Sequence, residues 1–318
     1  MTTMVAEDLE VTAALAGTRL EALVRGRFAG SSLTQVRRVI AAGDVLVNGR
    51  PQAKGYRLHE GDRVAIGRTP ERADWHPAPG EVPGLLFVYE DAEVVAVAKP
   101  AGAPSAPLRA EETGTVANAL VAHDAALAGI GRGPRDAGLV SRLDTGTSGL
   151  LLAARTKAAF AALLEASSRN EIAKGYLALV EGVRRTPWPS TIRRPLVPHG
   201  PRGATVVAGA EHDGSRIPET RILRTRSGTG ATIVVAEIRQ GMRHQVRAHL
   251  AAIGHPVLGD VERGGRPLGD GRLALHAAWI EFPHPRTGHR MKLDTPPMEP
   301  LASALLEVRL AVRKREEP

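Results

Sequence analysis

Two stretches near the start of the chain carry apolar residues at the spacing of an α-helix. They are Leu20, Leu23, Val24 and Phe28 in the first stretch, and Leu33, Val36, Val39 and Ile40 in the second. Each stretch opens on a capping-box pattern, Thr18 with Glu21 and Ser32 with Gln35, and Gly43 is placed to end the second. The pattern predicts two short amphipathic helices.

Short strands are predicted after these helices. Asn48-Gly49 is a strong hairpin signal, and a last short strand is expected around residues 64–66. Residues 17–68 are therefore predicted to form a compact unit in the order helix, helix, strands. Residues 1–16 are predicted to be a flexible lead-in.

Residues 69–84 are rich in proline, lack periodicity and are predicted to be a linker. Residues 85–312 then alternate irregularly between strand and helix patterns. The expected strands include Leu85–Tyr89, Val94–Ala98, Gly149–Ala154, Tyr176–Val180 and Thr232–Ile238. The expected helices are near Thr115–Ala128, Thr156–Ser167 and Met242–Ile253. Many strands interrupted by few helices indicate an α+β fold with a largely antiparallel mixed sheet.

The charge of the chain suggests a role for the first unit. The 318 residues include 42 Lys and Arg against 34 Asp and Glu, and this net charge of +8 favours an anionic partner such as RNA. Residues 17–68 hold ten of the basic residues and four of the acidic ones. Arg37 and Arg38 lie off the apolar face of the second helix, so we expect both to point into solvent and to bind RNA.

Composition also limits the class of protein. The chain is 43% hydrophobic and contains no cysteine, so it is globular and uses no thiolate chemistry. No apolar run approaches the roughly 18 residues of a membrane span, and the N-terminus lacks a signal-peptide pattern. We therefore expect a monomeric, cytoplasmic protein without a membrane partner.

The most informative stretch is SRLDTGTSGLLL at residues 141–152. Arg142 and Asp144 precede a Thr-Gly-Thr-Ser-Gly turn, and an apolar run over 150–154 follows, as in a buried strand. A turn mounted on a core strand is a rigid place to hold a carboxylate for chemistry. The alternative is a surface turn with a solvated ion pair.

A helix over 242–253 could supply a partner for this carboxylate. Its apolar stripe consists of Met242, Val246, Leu250 and Ile253. Arg243 and Arg247 lie on a separate stripe, so a helix packed by its apolar face can aim Arg247 at Asp144. An arginine in that place favours the ionised carboxylate. The alternative is a solvated helix arginine.

His244 and His249 lie five residues apart, on different faces of the same predicted helix, and no nearby carboxylate joins them. This spacing does not support a metal site. We expect His244 to make structural hydrogen bonds or to contact RNA. The chain lacks Walker and dinucleotide-binding glycine motifs, so we expect no cofactor and no metal.

Five segments, in order, resemble the RluA-type RNA pseudouridine synthases. They are DAEVVAVAKPAG at 91–102, SRLDTGTSGLLL at 141–152, KGYLALVEG at 174–182, GMRHQVRAHLAAIGHPVLGD at 241–260 and LALHAAWIEFPHPRTG at 273–288. The first unit, with AAGDVLVNGRP at 41–51, resembles the S4-like RNA-binding domain, or αL motif. The resemblance implies a pseudouridine synthase catalytic domain with an appended S4-like domain.

The resemblance implies an enzyme that flips a uridine out of RNA and exchanges its C–N glycosidic bond for a C–C bond, with no cofactor. Asp144 would attack covalently or remove a ribose proton. Tyr176 would stack on the uracil and help to remove the C5 proton, and Arg247 would hold Asp144.

The resemblance also implies contacts with RNA. Arg142 would fill the gap left by the flipped base, whereas Lys99 and Lys174 would contact phosphate or position loops. Large-subunit ribosomal RNA is favoured over tRNA as the substrate.

The chain departs from the family pattern at Ser141, where the family has His, and at Met242 and Arg243, where it has Arg and Thr. These departures leave a second function open, a non-catalytic RNA-binding or ribosome-assembly factor on the same scaffold. A third is a glycosidase-like or other uracil-processing enzyme.

Overall fold

The computed structural model describes residues 7–28, 30–53, 55–70, 75–199, 204–207, 217–268, 272–297 and 301–302. The chain divides into two compact units near His76, with residues 108–111 grouped with the first unit. The linker predicted over 69–84 spans this division, although residues 71–74 lie outside the described ones. None of the described helices is long and apolar enough to cross a membrane.

The first unit combines two helices with a small antiparallel sheet. Its elements are β1 (Glu7–Glu10), α1 (Leu20–Arg27), α2 (Leu33–Ala41), β2 (Val45–Val47), β3 (Arg50–Pro51) and β4 (Arg63–Ile66). The sheet order is β1-β4-β2-β3. Its core includes most of the residues that the helical spacing selects, namely Leu20, Val24, Val36, Val39 and Ile40.

The first turns of the two helices differ from one another. The capping box of α2 forms as predicted, because Ser32 Oγ accepts from Gln35 N and Gln35 Oε1 accepts from Ser32 N. The capping box predicted at Thr18 does not form, because the Thr18 hydroxyl donates a hydrogen bond to Leu15 O instead. Glu21 points away from the helix end and accepts a hydrogen bond from Gly55 N at 2.7 Å.

The prediction of a flexible lead-in over 1–16 is wrong from Glu7 onward. Glu7–Glu10 form β1, which pairs with β4 so that Leu9 lies opposite Val64. Val11 is buried in the core of the unit. A strand of four residues has too few positions for alternation to show, and the neighbouring edge of β4 supplies its hydrogen bonds.

The second unit is built on one large sheet. Its elements are β5 (Leu86–Glu90), β6 (Val94–Lys99), α3 (Val116–His123), β7 (Ser148–Ala154), α4 (Lys157–Ser168), β8 (Ala173–Glu181), β9 (Thr191–Arg193), β10 (Leu196–His199), β11 (Ala204–Val207), β12 (Glu219–Ser227), β13 (Ala231–Ile238), α5 (Gln245–Ala252), β14 (Leu275–Pro283) and β15 (Arg290–Asp294).

The strand order of this sheet is β5-β6-β7-β14-β8-β13-β12-β9, with β15 paired to β14. The β7–β14 pair is parallel, and the other described pairs are antiparallel. The predicted α+β fold with a largely antiparallel mixed sheet is therefore confirmed. The short strands β10 and β11 form a separate hairpin.

Two apolar clusters lie in this unit. One joins β6 and β7 to α3 and α4, and the other joins β8, β13 and β14 to α5. Leu143 is partly buried and packs against both clusters. The residue that precedes Asp144 is therefore anchored where the two halves of the core meet.

Candidate active site

Asp144 lies in the loop that leads into β7. The strand is buried along its whole length, and Thr147 N donates to Asp144 O at 3.0 Å to close a turn between them. Gly149 adopts a φ of +115°, and a Cβ at this position would overlap the carbonyl oxygen of Ala277 on β14. Only glycine lets the two parallel strands approach so closely, so Gly149 helps to seat the loop.

Two backbone anchors hold the neighbours of Asp144. Gly102 N donates to Thr145 O at 2.8 Å. Ser105 Oγ donates to Leu143 O at 2.8 Å and accepts from Leu143 N at 3.0 Å. Because the residues on both sides are held, the direction of the carboxylate is determined by the scaffold.

Lys99 reinforces this arrangement from inside the protein. It is fully buried, and its Nζ donates to Pro100 O at 2.9 Å, Ala103 O at 2.7 Å and Thr145 O at 3.1 Å. Burial lowers the pKa of Lys99 to about 7, against the opposing charge of Asp144. Of the two roles predicted for Lys99, loop positioning fits, whereas a phosphate contact is wrong because the side chain has no exposed surface.

Each carboxylate oxygen of Asp144 has a nitrogen of another side chain near it. Oδ2 accepts a hydrogen bond from Arg247 Nη1 at 2.8 Å, and Oδ1 lies 3.5 Å from His244 Nε2. The side chain remains 24% exposed. It is thus held in place and still open to a substrate.

Arg247 is anchored from behind by Asp260. Its Nε donates to Asp260 Oδ2 at 2.8 Å and its Nη2 to Asp260 Oδ1 at 2.7 Å. Burial lowers the pKa of Arg247, but hydrogen bonds to Asp260 and Asp144 outweigh it and raise the pKa above its usual value. The carboxyl group of Asp144 therefore faces a permanently charged guanidinium at 2.8 Å.

The sequence analysis did not identify Asp260 as a site residue. Asp260 is 1% exposed and follows a turn, 13 positions after its partner Arg247. The only signal was its place at the end of the segment 241–260, because no helical or strand periodicity connects it to α5.

α5 begins at Gln245, three residues later than predicted. Gln245 is buried, accepts from Met242 N at 3.1 Å and donates to Glu219 O at 2.9 Å. The preceding His244 adopts φ +59°, in the left-handed region. Met242 and Arg243 therefore lie before the helix, and the predicted stripe that placed Arg243 on it is wrong.

Tyr176 and Lys174 lie on one face of β8. Tyr176 is 8% exposed, and burial together with the charge of Asp144 raises the pKa of its phenol, which stays protonated at neutral pH. Burial and the neighbouring Arg132 lower the pKa of Lys174 to about 8. The electrostatic effect of Asp144 on Tyr176 indicates that the two predicted catalytic residues face the same site.

The remaining predicted residues differ in their surroundings. Arg142 is exposed and forms no ion pair with the described side chains, two positions before Asp144. Arg37 and Arg38 are exposed on α2 in the other unit, as predicted. Arg37 Nη2 lies 3.2 Å from Glu21 Oε1, so it also has a structural partner.

The histidines of this region are bound to protein groups. His249 is fully buried, with Nδ1 2.8 Å from Thr220 Oγ1 and Nε2 3.2 Å from Arg194 O. Among the described residues, no group of histidine, aspartate and glutamate is arranged to hold a metal ion.

Comparisons with known proteins agree with this geometry. Residues 93–252 match the RNA pseudouridylate synthase family, and residues 18–64 match the S4 domain. The chain is 32% identical over 308 residues to ribosomal large subunit pseudouridine synthase D of Xanthomonas campestris, covering 92% of this chain and 90% of that protein. It is 31% identical over 293 residues to the RNA pseudouridine synthase YlyB of Bacillus subtilis, covering 87% and 90% respectively.

A solved structure shows the same fold. Human RNA pseudouridylate synthase domain containing 1 superposes with a TM-score of 0.53 at 24% identity, over 73% of this chain and 97% of that one. The fold and site together define an RNA-modifying isomerase. The chain belongs to the RNA pseudouridylate synthase family, in its RluA-type branch, and carries an S4 domain ahead of the synthase domain.

Proposed function

We propose that this chain converts specific uridines of large-subunit ribosomal RNA to pseudouridine, with Asp144 acting on the flipped nucleotide. The observation that carries the proposal is the partly exposed carboxylate of Asp144, which receives a 2.8 Å hydrogen bond from the buried Arg247. Several relatives that match the chain over most of its length are named ribosomal large subunit pseudouridine synthases, which supports the choice of RNA.

The reaction is an isomerisation. The N1–C1′ bond of the uridine breaks, the uracil turns, a C5–C1′ bond forms and C5 loses its proton, while N1 gains one. Asp144 either attacks C1′ or removes a ribose proton, and both routes require an ionised carboxylate. Arg247 holds the carboxylate through the 2.8 Å hydrogen bond to Oδ2. We assign Tyr176 to stacking on the uracil, because its protonated phenol is a weak base.

The proposed RNA contacts are distributed over both units. Arg142 fills the gap left by the flipped base, and Lys174 faces the site from β8. Arg37 and Arg38 anchor RNA from the first unit. The monomeric state, the cytoplasmic location and the limits 17–68 and 85–312 of the two domains also remain proposals.

The test uses Asp144→Asn, which keeps the shape of the side chain and removes its charge. We expect pseudouridine formation on ribosomal RNA to fall below detection, while RNA affinity changes little. The matched control is Asp294→Asn, an exposed carboxylate on β15. Full turnover by Asp144→Asn would overturn the role given to this residue.

The departures at Ser141, Met242 and Arg243 favour one competing function, a non-catalytic RNA-binding or ribosome-assembly factor. Modification maps of ribosomal RNA from wild-type and deletion strains distinguish the two. A pseudouridine that disappears on deletion and returns with the wild-type gene, but not with Asp144→Asn, supports the enzyme. Identical maps would support the binding factor.

A further inference from the structure

The side chains around Asp144 form a closed ring. Arg247 joins Asp144 to Asp260 through the hydrogen bonds described above. Arg263 continues the ring, with Nη1 3.4 Å from Asp260 Oδ1 and Nη2 3.1 Å from His244 Nδ1. His244 Nε2, 3.5 Å from Asp144 Oδ1, completes it. Within the ring, two carboxylates balance two guanidinium groups when the imidazole is neutral.

The backbone of His244 is held in an unfavourable conformation to aim its ring at Asp144. Its φ of +59° lies in the left-handed region, which non-glycine residues rarely adopt. Its side chain is only 10% exposed. Such strain is concentrated at functional sites, where the surrounding structure maintains it.

The contacts of the ring determine which imidazole nitrogen carries the proton. A neutral imidazole has one donor and one acceptor nitrogen, and a guanidinium only donates. Arg263 Nη2 at 3.1 Å therefore makes Nδ1 the acceptor, which leaves the proton on Nε2. Arg243 Nε also donates to Nε2, at 3.4 Å and from an exposed side chain, and this hydrogen bond competes with a proton on Nε2. The contact of Arg263 with Nδ1 is shorter, at 3.1 Å, and less exposed, so it outweighs the contact of Arg243.

The charged groups around His244 keep its imidazole neutral. Burial lowers the pKa of His244, and the guanidinium groups of Arg247, Arg263 and Arg243 act in the same direction, while Asp144 opposes them. At neutral pH the imidazole is therefore neutral and does not add a cation beside Asp144.

We infer that His244 is a positioning residue of the synthase reaction, whose Nε2–H holds Oδ1 of Asp144 while Arg247 holds Oδ2. Arg263 acts through His244 by selecting this tautomer. The 3.5 Å separation exceeds a formed hydrogen bond, and catalytic contacts of this kind shorten in the substrate complex. The inference rests on the proposed function of Asp144, and it replaces the predicted RNA contact of His244.

The kinetic test uses His244→Gly in the full chain, because glycine accepts the left-handed backbone without strain. We expect kcat on ribosomal RNA to fall about 10- to 100-fold, as for a misplaced reacting group, while KM changes less than about twofold. Added imidazole should restore part of kcat by entering the vacated space. The matched control, His289→Gly at an exposed position, should retain kcat and should not respond to imidazole.

Two kinetic outcomes would overturn the inference. One is an unchanged kcat in His244→Gly, and the other is a loss confined to KM, which indicates an RNA contact. Wild-type turnover and its loss in Asp144→Asn test the proposed function separately, since both can hold when His244 has no role.

A spectroscopic test does not depend on activity or on folding of the glycine variant. In wild-type protein with ¹⁵N-labelled histidine, the ring of His244 should be neutral at pH 7 with its proton on Nε2. Asp144→Asn should lower the pKa of His244 further, because it removes the one charge that opposes the shift. A proton on Nδ1 at pH 7, or a pKa indifferent to Asp144→Asn, would contradict the inference.

Discussion

Arg247 forms hydrogen bonds to two carboxylates in different environments, and a third, that of the exposed Glu262, lies 3.7 Å from its Nη2. Asp260 is 1% exposed and receives two hydrogen bonds from it, so this pair has a structural role. Asp144 is 24% exposed and receives one, so its carboxylate remains accessible to a substrate. The buried pair orients the arginine, and the arginine in turn orients the reactive carboxylate.

Replacing Arg247 should therefore affect stability as well as activity. Arg247→Met leaves the buried charge of Asp260 with only the 3.4 Å contact from Arg263, and we expect a loss of roughly 3–5 kcal/mol in the free energy of unfolding. Turnover should also be lost. Urea unfolding measures the first effect, with the exposed Arg169→Met as the control, for which less than about 1 kcal/mol is expected. Equal losses in both variants would contradict the buried-pair interpretation.

Helical spacing and family resemblance together could predict the contact of Arg247 with Asp144. The contact with Asp260 could not be predicted, because the turn after α5 brings this residue back and no periodicity encodes that path. The left-handed backbone of His244 could not be predicted either, since such a conformation at a non-glycine residue is not visible in sequence.

β7 holds the catalytic loop only if it can pack closely on β14. Gly149→Ala would place a methyl group on the carbonyl oxygen of Ala277 at a strained φ. We expect the free energy of unfolding to fall by more than about 2 kcal/mol, and turnover to fall with it. The control is Gly133→Ala, where no heavy atom lies within 4 Å of the added Cβ and a change under about 1 kcal/mol is expected. Similar stabilities for the two variants would rule out this packing role.

Lys99, the last residue of β6, gives the stability of the fold a pH dependence. The pKa of Lys99 is about 7 in the folded chain, against about 10.4 for an unfolded lysine. Between these values the unfolded chain binds the proton that the folded chain has lost, so the contribution of Lys99 to stability rises with pH. Relative to Lys99→Met, the free energy of unfolding of the wild type should rise by at most about 1.4 kcal/mol per pH unit between pH 7 and 10.

Urea unfolding at several pH values measures this difference for Lys99→Met and for Lys157→Met, whose lysine is exposed at the start of α4. The difference in stability between the wild type and Lys157→Met should not vary with pH. If the difference between the wild type and Lys99→Met has the same pH dependence, burial does not shift the titration of Lys99.

Elements with a clear apolar pattern were predicted well, including the short strands β5 and β6. β7 and α4 lie within a residue of their expected limits, because consecutive buried positions specify the strand and helically spaced ones specify the helix. α5 starts late because Gln245 is buried by hydrogen bonds to Met242 N and Glu219 O, a tertiary effect that overrides the apolar stripe. β1 depends wholly on the edge of β4.

Basic residues are concentrated in the first of the two units. The basic excess over 17–68 was visible in the sequence, and the structure shows that its arginines are not equivalent. Arg37 contacts Glu21, whose side chain is 5% exposed, at 3.2 Å. Arg38 is exposed on the same helix and contacts no charged side chain among the described residues. Arg38 is therefore available to bind a phosphate, whereas Arg37 also stabilises the fold through Glu21.

Replacing each arginine in the full chain separates these roles. If Arg38 contacts one phosphate, Arg38→Gln should reduce the slope of log affinity against log salt by about 0.7–0.9 and leave unfolding unchanged. Arg37→Gln should also lower the free energy of unfolding, because the buried carboxylate of Glu21 loses its partner. Binding of a ribosomal RNA fragment at several salt concentrations measures the slope, with Arg169→Gln as an ion-paired control from the other unit. If Arg38→Gln and the control Arg169→Gln give the same slope, Arg38 on α2 does not contact the RNA backbone. The excess of basic residues in the first unit would then serve only the folding and solubility of that unit.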